Sequence, residues 1–195
     1  MRKLSIVVIA LLIVEVAVAS DSFTNGAYLG AQLGWDNMHY VGSDYVLPSN
    51  SIDGNRVGGR VYVGYYFSQF IAAELGYVYY GSPQIKYNPT GSEQTFIQQG
   101  IDFAAKFMVP LNYGFGIFGK LGLDWVYRSA VSSKDGYFAA KDANGKFAPA
   151  VGLGFSYTFN SHWLTDLSWK RTFYNGNLPR ADFYALGLTY RFTNF

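Results

Sequence analysis

Apolar and polar positions alternate with a period of two in eight separate stretches of this chain. The alternation is clearest over residues 183–192, where Tyr184, Leu186, Leu188, Tyr190 and Phe192 share one side of a strand and Ala185, Gly187, Thr189 and Arg191 share the other. The second side carries small residues and an arginine in place of the polar mixture of a solvated face. Such a strand puts its apolar side against hydrocarbon, and the aromatic pair Tyr190 and Phe192 closes that side where the chain passes from hydrocarbon to headgroups. A strand in lipid needs backbone partners on both edges, which only a closed barrel supplies.

Seven further stretches repeat the pattern: residues 26–36, 57–67, 70–80, 99–109, 113–127, 147–159 and 162–173. Pro110 ends the fourth, and Arg171 interrupts the apolar side of the seventh. Residues 37–55, 81–98 and 128–146 are polar and rich in turn formers, and read as long loops, with a shorter fourth connection at 174–181. Between them lie the short turns Ser68-Gln69, Leu111-Asn112 and Asn160-Ser161. Long and short connections alternate, so all long loops fall at one end and all short turns at the periplasmic end. The pattern predicts an all-β fold, an eight-stranded antiparallel up-and-down transmembrane β-barrel. A soluble lipocalin-type barrel would show its charges outward, whereas here the ionisable residues lie on the small-residue side.

The amino terminus fixes the compartment. Met1-Arg2-Lys3 is a charged start, residues 4–14 are apolar except for Ser5, and Ala17-Val18-Ala19 is a cleavage pattern. Residues 1–19 therefore read as a signal peptide cut after Ala19, and residues 20–195 as the outer-membrane barrel domain, multi-pass with its long loops extracellular. There is no cysteine, which excludes a lipoprotein anchor and a disulfide framework. Without Arg2, Lys3 and Glu15 the chain holds 13 basic and 12 acidic side chains and no basic stripe, so nucleic acid is not implied. No glycine-rich phosphate loop and no metal-ligand spacing occurs, and no cofactor is expected.

Parity assigns the candidate residues. Trp35, Tyr65, Tyr77, Trp125, Trp169, Tyr190 and Phe192 share the apolar side and form a lipid-facing aromatic girdle. Arg60, Lys106, Lys120, Lys170 and Arg191 share the inner side with Glu74, Asp102, Asp124 and Asp166. Buried charges are costly unless paired, and the near balance of sign argues for a plug, where a selective pore would present a ring of one sign. Structural packing and a small gated conductance are both open for this network.

Four segments, GAYLGAQLGW at the first strand, IAAELGY at the third, FAAKF before Pro110 and LGLTYRF at the last, resemble the transmembrane domain of the OmpA family of outer-membrane proteins. In that family an interior glutamate, lysine and arginine switch salt bridges to gate a narrow path. The resemblance implies that Glu74 and Lys106 are the matching glutamate and lysine, while Asp166 stands where the family has its arginine and Ser156 where it has a second glutamate. Because an unpaired buried charge is strongly destabilising, Lys106 is expected to pair with Glu74, with Asp166 as a further candidate partner. The chain stops soon after the barrel, so the family's periplasmic cell-wall-binding domain is not expected. The last strand is expected to be read by the barrel-assembly machinery, with Phe192 the aromatic in register with the lipid side.

Some small barrels are lipid A acylhydrolases or acyltransferases, which makes both histidines catalytic candidates. His39 lies near Asp36, Ser43 and Asp44, which form a nucleophilic group only if the loop folds back, and His162 lacks a close serine partner of the deacylase kind. A solvated loop histidine is the commoner case, so no enzyme is expected. The loops carry Tyr40, Tyr45, Tyr87, Phe96, Tyr137, Phe138 and Tyr174, and aromatics there favour contact with a host-surface protein or glycan, or packing against each other or at the lipopolysaccharide boundary. The expected function is envelope integrity and adhesin-like surface interaction, with outer-membrane lipid and lipopolysaccharide as surroundings; the alternative is a small gated porin-like channel.

Overall fold

Each of the eight alternating stretches forms a barrel strand. The computed structural model describes residues 25–39, 50–53, 55–81, 84–87, 92–130, 145–173 and 180–192. In chain order the strands are β1 (Gly26–His39), β2 (Asn50–Asp53), β3 (Asn55–Tyr66), β4 (Ile71–Tyr79), β5 (Gln84–Tyr87), β6 (Ser92–Pro110), β7 (Phe115–Ala130), β8 (Lys146–Thr158), β9 (Trp163–Thr172) and β10 (Arg180–Arg191). Neighbours β6, β4, β3, β1, β10, β9, β8 and β7 pair antiparallel in that order, and β7 returns to β6, from Phe96↔Ala130 to Pro110↔Gly116, so the barrel closes. No described helix is long and apolar enough to cross a membrane. The predicted signal peptide and its cleavage point after Ala19 lie outside the described residues.

Parts of the predicted loops are strand: residues 37–39, 92–98 (with Phe96) and 128–130 lengthen β1, β6 and β7, and two further segments form strands of their own. Residues 50–53 and 84–87, expected within loops, form β2 and β5, which pair from Asn50↔Tyr87 to Asp53↔Gln84. β5 then pairs with the start of β6, from Gln84↔Thr95 to Tyr87↔Ser92. A small three-stranded sheet thus extends the barrel at its long-loop end. The turn formers Asp53 and Ser92 that signalled loops stand at the end of β2 and the start of β6, and backbone ladders form there without the alternation that lipid imposes on the barrel strands. The turn after β6 also differs. Tyr113, expected in the fifth strand, sits in a short 3-10 turn over Asn112–Gly114 with φ of 61°, and the strand begins at Phe115.

Two of the three short turns are held by a side chain of their own. Ser68 Oγ accepts from the backbone N–H groups of Phe70 and Ile71, and Asn160 Oδ1 accepts from those of His162 and Trp163 at 2.9 Å. Beside them, on the outer wall, aromatic rings gather: Phe115 with Tyr157 at 4.8 Å, Tyr157 with Phe159 at 5.1 Å, and Tyr190 with both Trp163 at 5.0 Å and Phe192 at 5.2 Å. Aliphatic and aromatic side chains, among them Leu33, Val61, Leu75, Phe103, Leu123 and Leu186, cover the wall between the two ends.

The bore is filled by the opposite parity. At the short-turn end the Tyr28 ring lies tilted against Tyr66 at 4.3 Å and meets Tyr62 edge-on at 6.2 Å. These rings fit because glycine faces them across the ladder: Tyr28 stands opposite Gly64 and Tyr62 opposite Gly30. A Cβ on either glycine would collide with the facing ring. The small residues on the inner face are therefore space for the large ones on the next strand. At the other end Met38, Val78, Tyr80, Val126 and Ala181 form an apolar cluster.

Candidate functional site: the charged interior of the barrel

Between those two plugs, charged side chains from neighbouring strands converge because inward parity leaves them no solvent. Arg60 on β3 grips Asp102 on β6 with one edge of its guanidinium, Nε donating at 2.7 Å and Nη2 at 2.6 Å. Its Nη2 also reaches Glu74 on β4 at 3.0 Å. Glu74 is the hub: Lys120 on β7 donates to it at 2.6 Å, Lys106 on β6 lies 3.4 Å away, and the Tyr28 hydroxyl donates at 3.1 Å. One carboxylate, fully buried, thus faces three cations.

Lys170 on β9 extends the chain of pairs, reaching Asp102 and Asp124 at 3.0 Å each. Asp124 also accepts from the hydroxyls of Tyr80 at 2.8 Å and Thr172 at 2.5 Å. Gln32 on β1 ties in the rest: its amide donates to Asp166 on β9 at 2.7 Å, and its carbonyl accepts from Arg60 at 3.4 Å. The network thereby crosses β1, β3, β4, β6, β7 and β9. A cavity of about 20 Å³, room for a water molecule, lies against Arg60, Asp102, Lys120, Asp124, Lys170 and Phe183.

Two expectations about this interior fail. Lys106 and Asp166 do not form an ion pair among the described residues. Lys106 is held at Glu74 with its ammonium 4.4 Å from the centre of the Phe118 ring, while Asp166 is occupied by Gln32 and, at 3.5 Å, the Tyr62 hydroxyl. Arg191 stands apart from the network near the short turns, its guanidinium carbon 5.1 Å from the Tyr66 ring. The parity rule placed it inside but carried no information on depth.

Sequence reasoning missed Gln32, Tyr28, Tyr62, Tyr80 and Thr172, the uncharged groups that satisfy the carboxylates. Inward parity was their available signal, and attention to charge alone passed over it. Asp36 is also inward and buried, and neither carboxylate oxygen has a hydrogen-bond partner among the described residues.

The histidine arrangements resolve differently from each other. Asp36 and His39 fall on opposite faces of β1, and His39 Nδ1 lies 3.6 Å from Asp182 on the outer wall; Ser43 and Asp44 are outside the described residues. His162 does have a serine within reach, contrary to expectation: Ser161 Oγ is 2.9 Å from its Nδ1. That neighbour sits in an exposed turn, where sequence adjacency alone brings the two together.

On the outer wall Trp35, Tyr65, Tyr77, Trp125 and Phe192 are exposed, and Trp169 and Tyr190 are half-buried by their own contacts. Of the loop aromatics, Tyr87 lies in β5, while Tyr40, Tyr45, Tyr137, Phe138 and Tyr174 are outside the described residues.

The family profile of the OmpA-like transmembrane domain matches residues 23–194. The chain belongs to that family. As a member of the OmpA-like family it is an integral, multi-pass protein of the outer membrane, and its apolar outer wall faces lipid. Outer membrane protein A of Serratia marcescens is 26% identical over 181 residues, covering 86% of this chain and 50% of that protein. The chain spans about half the length of the curated relatives it matches. In fold it is similar to the outer membrane protein OprG from Pseudomonas aeruginosa, with a TM-score of 0.65 at 15% identity over 88% of this chain and 97% of that one. It is also similar to Ail, the attachment invasion locus protein of Yersinia pestis, solved in complex with the heparin analogue sucrose octasulfate, with a TM-score of 0.58 at 15% identity over 87% and 100% of the two chains.

Proposed function

We propose that this protein is a non-enzymatic outer-membrane scaffold that supports the envelope and acts through its extracellular end, where its connections contact a host-surface protein or glycan. The observation that carries this reading is the filled bore. Ion-paired side chains from five strands occupy the interior, while the long-loop end is built outward by the β2–β5–β6 sheet. A rigid barrel with short turns on one side leaves the other side for recognition. Tyr40, Tyr45, Tyr87, Tyr137 and Phe138 are the contact candidates. Ail, a neighbour of the same fold, is solved with a heparin analogue, which makes sulfated glycan the first class to try. Phe192, in register with the lipid side, is the proposed signal to the barrel-assembly machinery.

The test shortens residues 40–49 or 131–144, which lie between paired strands. Folding into micelles should be spared, because every barrel ladder remains intact, and binding to heparin-coated beads and to host cells should fall. Binding that survived both deletions would remove the loops from the function. The second reading, a small gated conductance, is favoured by one observation: a water-sized cavity interrupts the packing beside Lys120 and Lys170.

A further inference from the structure

The outer wall of a lipid-facing barrel should carry no charge, and among the described side chains of the eight barrel strands it carries charge in one place. His39, Arg171, Arg180 and Asp182 all have outward parity and lie together at the long-loop ends of β1, β10 and β9. The register gives their height. Trp35, Tyr184 and Trp169 form one row across the three strands; the next row outward is Asn37, Asp182 and Arg171; the next after that pairs His39 with Arg180. The polar rows therefore begin directly above an aromatic row, at the level where hydrocarbon gives way to headgroups.

The cluster is organised. Asp182 accepts from Arg171 Nε at 2.7 Å and Nη2 at 2.9 Å, and from the indole N–H of Trp169 at 3.0 Å. The guanidinium carbon of Arg171 lies 5.1 Å from the Trp169 ring centre. Arg171 is thereby fixed with two N–H groups used, and the rest of its fork is not engaged by any described residue. Arg180 makes no ion pair among the described residues, and its Nε has no hydrogen-bond partner there. His39 adds further positive charge when protonated. One buried carboxylate thus stands among two arginines and a histidine, with Arg171 and His39 partly exposed, so the cluster is net positive.

We infer that this cluster is a binding site for a phosphorylated glycolipid of the outer leaflet, its phosphate on Arg171 and Arg180 and its acyl chains along the apolar wall below Trp35 and Tyr184. Guanidinium is the side chain best matched to a phosphate fork, and a phosphate above an aromatic row is what a lipid headgroup presents and a free anion does not. This goes beyond the proposed loop function: it concerns the wall and needs no loop residue.

The test folds the protein in micelles and titrates it, by native mass spectrometry, with phosphorylated lipid A, the same lipid A stripped of phosphate, and phosphatidylglycerol. The wild type should favour phosphorylated over dephosphorylated lipid A by about tenfold or more. Arg180→Gln should lose most of that preference. So should the double change Arg171→Gln with Asp182→Asn, which removes both partners and leaves no unpaired carboxylate. Lys146→Gln, a cation of inward parity at the same end of β8, should keep the preference. Circular dichroism checks each fold, and the two cluster variants stand independently if one fails. Equal binding of the two lipid A forms, retained preference in a folded cluster variant, equal loss in Lys146→Gln, or equally tight phosphatidylglycerol would each overturn the site.

Discussion

Glu74 and Asp166 are both carboxylates buried in the same bore, and their neighbours set them apart. Glu74 faces Arg60, Lys106 and Lys120, whereas the groups that bond Asp166 are the neutral amide of Gln32 and the Tyr62 hydroxyl. Removing the charge of Glu74 leaves buried cations without their counter-charge, a loss of the kind that costs about 3–5 kcal/mol. Removing that of Asp166 weakens bonds to neutral donors, at about 1–3 kcal/mol. Glu74→Gln should therefore lower the urea midpoint of the micelle-folded barrel clearly more than Asp166→Asn. Equal midpoints would show that the carboxylates are interchangeable filling and that the pairing around Glu74 carries no particular weight.

At the scale of elements, stability should divide between barrel and extension. Each barrel strand is paired on both sides, while among the described residues β2 is paired to β5 alone. Amides of Ile52 and Ile85, opposite one another in the β2–β5 ladder, should exchange with deuterium faster than those of Leu75 and Phe103, opposite one another in the β4–β6 ladder. Exchange at one common rate would mean that the extension and barrel open as a single unit. The same division marks what could be read from sequence. Barrel strands were legible because lipid on one side and a packed bore on the other force opposite chemistry onto alternate residues, as at Leu29 and Gly30. β2 and β5 were not, since a short ladder outside the membrane imposes no such alternation. Within the bore, parity brought Arg60, Glu74, Asp102, Lys106 and Lys120 to the inside. It could not say which carboxylate each cation would meet, because partner choice depends on how far strands are staggered, and stagger leaves no mark on composition. The Asp182 cluster was hidden for the complementary reason: Arg171 looked like an interruption until β10 was placed beside it.

The whole molecule is a closed wall around alternating charge, and that arrangement decides what can cross it. Four cations, Arg60, Lys106, Lys120 and Lys170, interleave with Glu74, Asp102, Asp124 and Asp166, and an eight-stranded interior is only wide enough for such side chains. An ion entering the bore would have to shed water and part a salt bridge whose members have no solvent to turn to. Planar-bilayer recording of the monomer should accordingly show at most small, intermittent conductance, whereas replacing Glu74, Lys106 and Lys120 together by alanine should raise it, by removing matched charge and opening the space between Tyr62 and Phe118. A large steady current from the unaltered monomer would refute the plug. If, in cells, shortening residues 40–49 and 131–144 left every binding phenotype intact while Glu74→Ala abolished activity in a protein still folded, the function would belong to the bore, and the gated conductance would replace surface contact as the reading of this barrel.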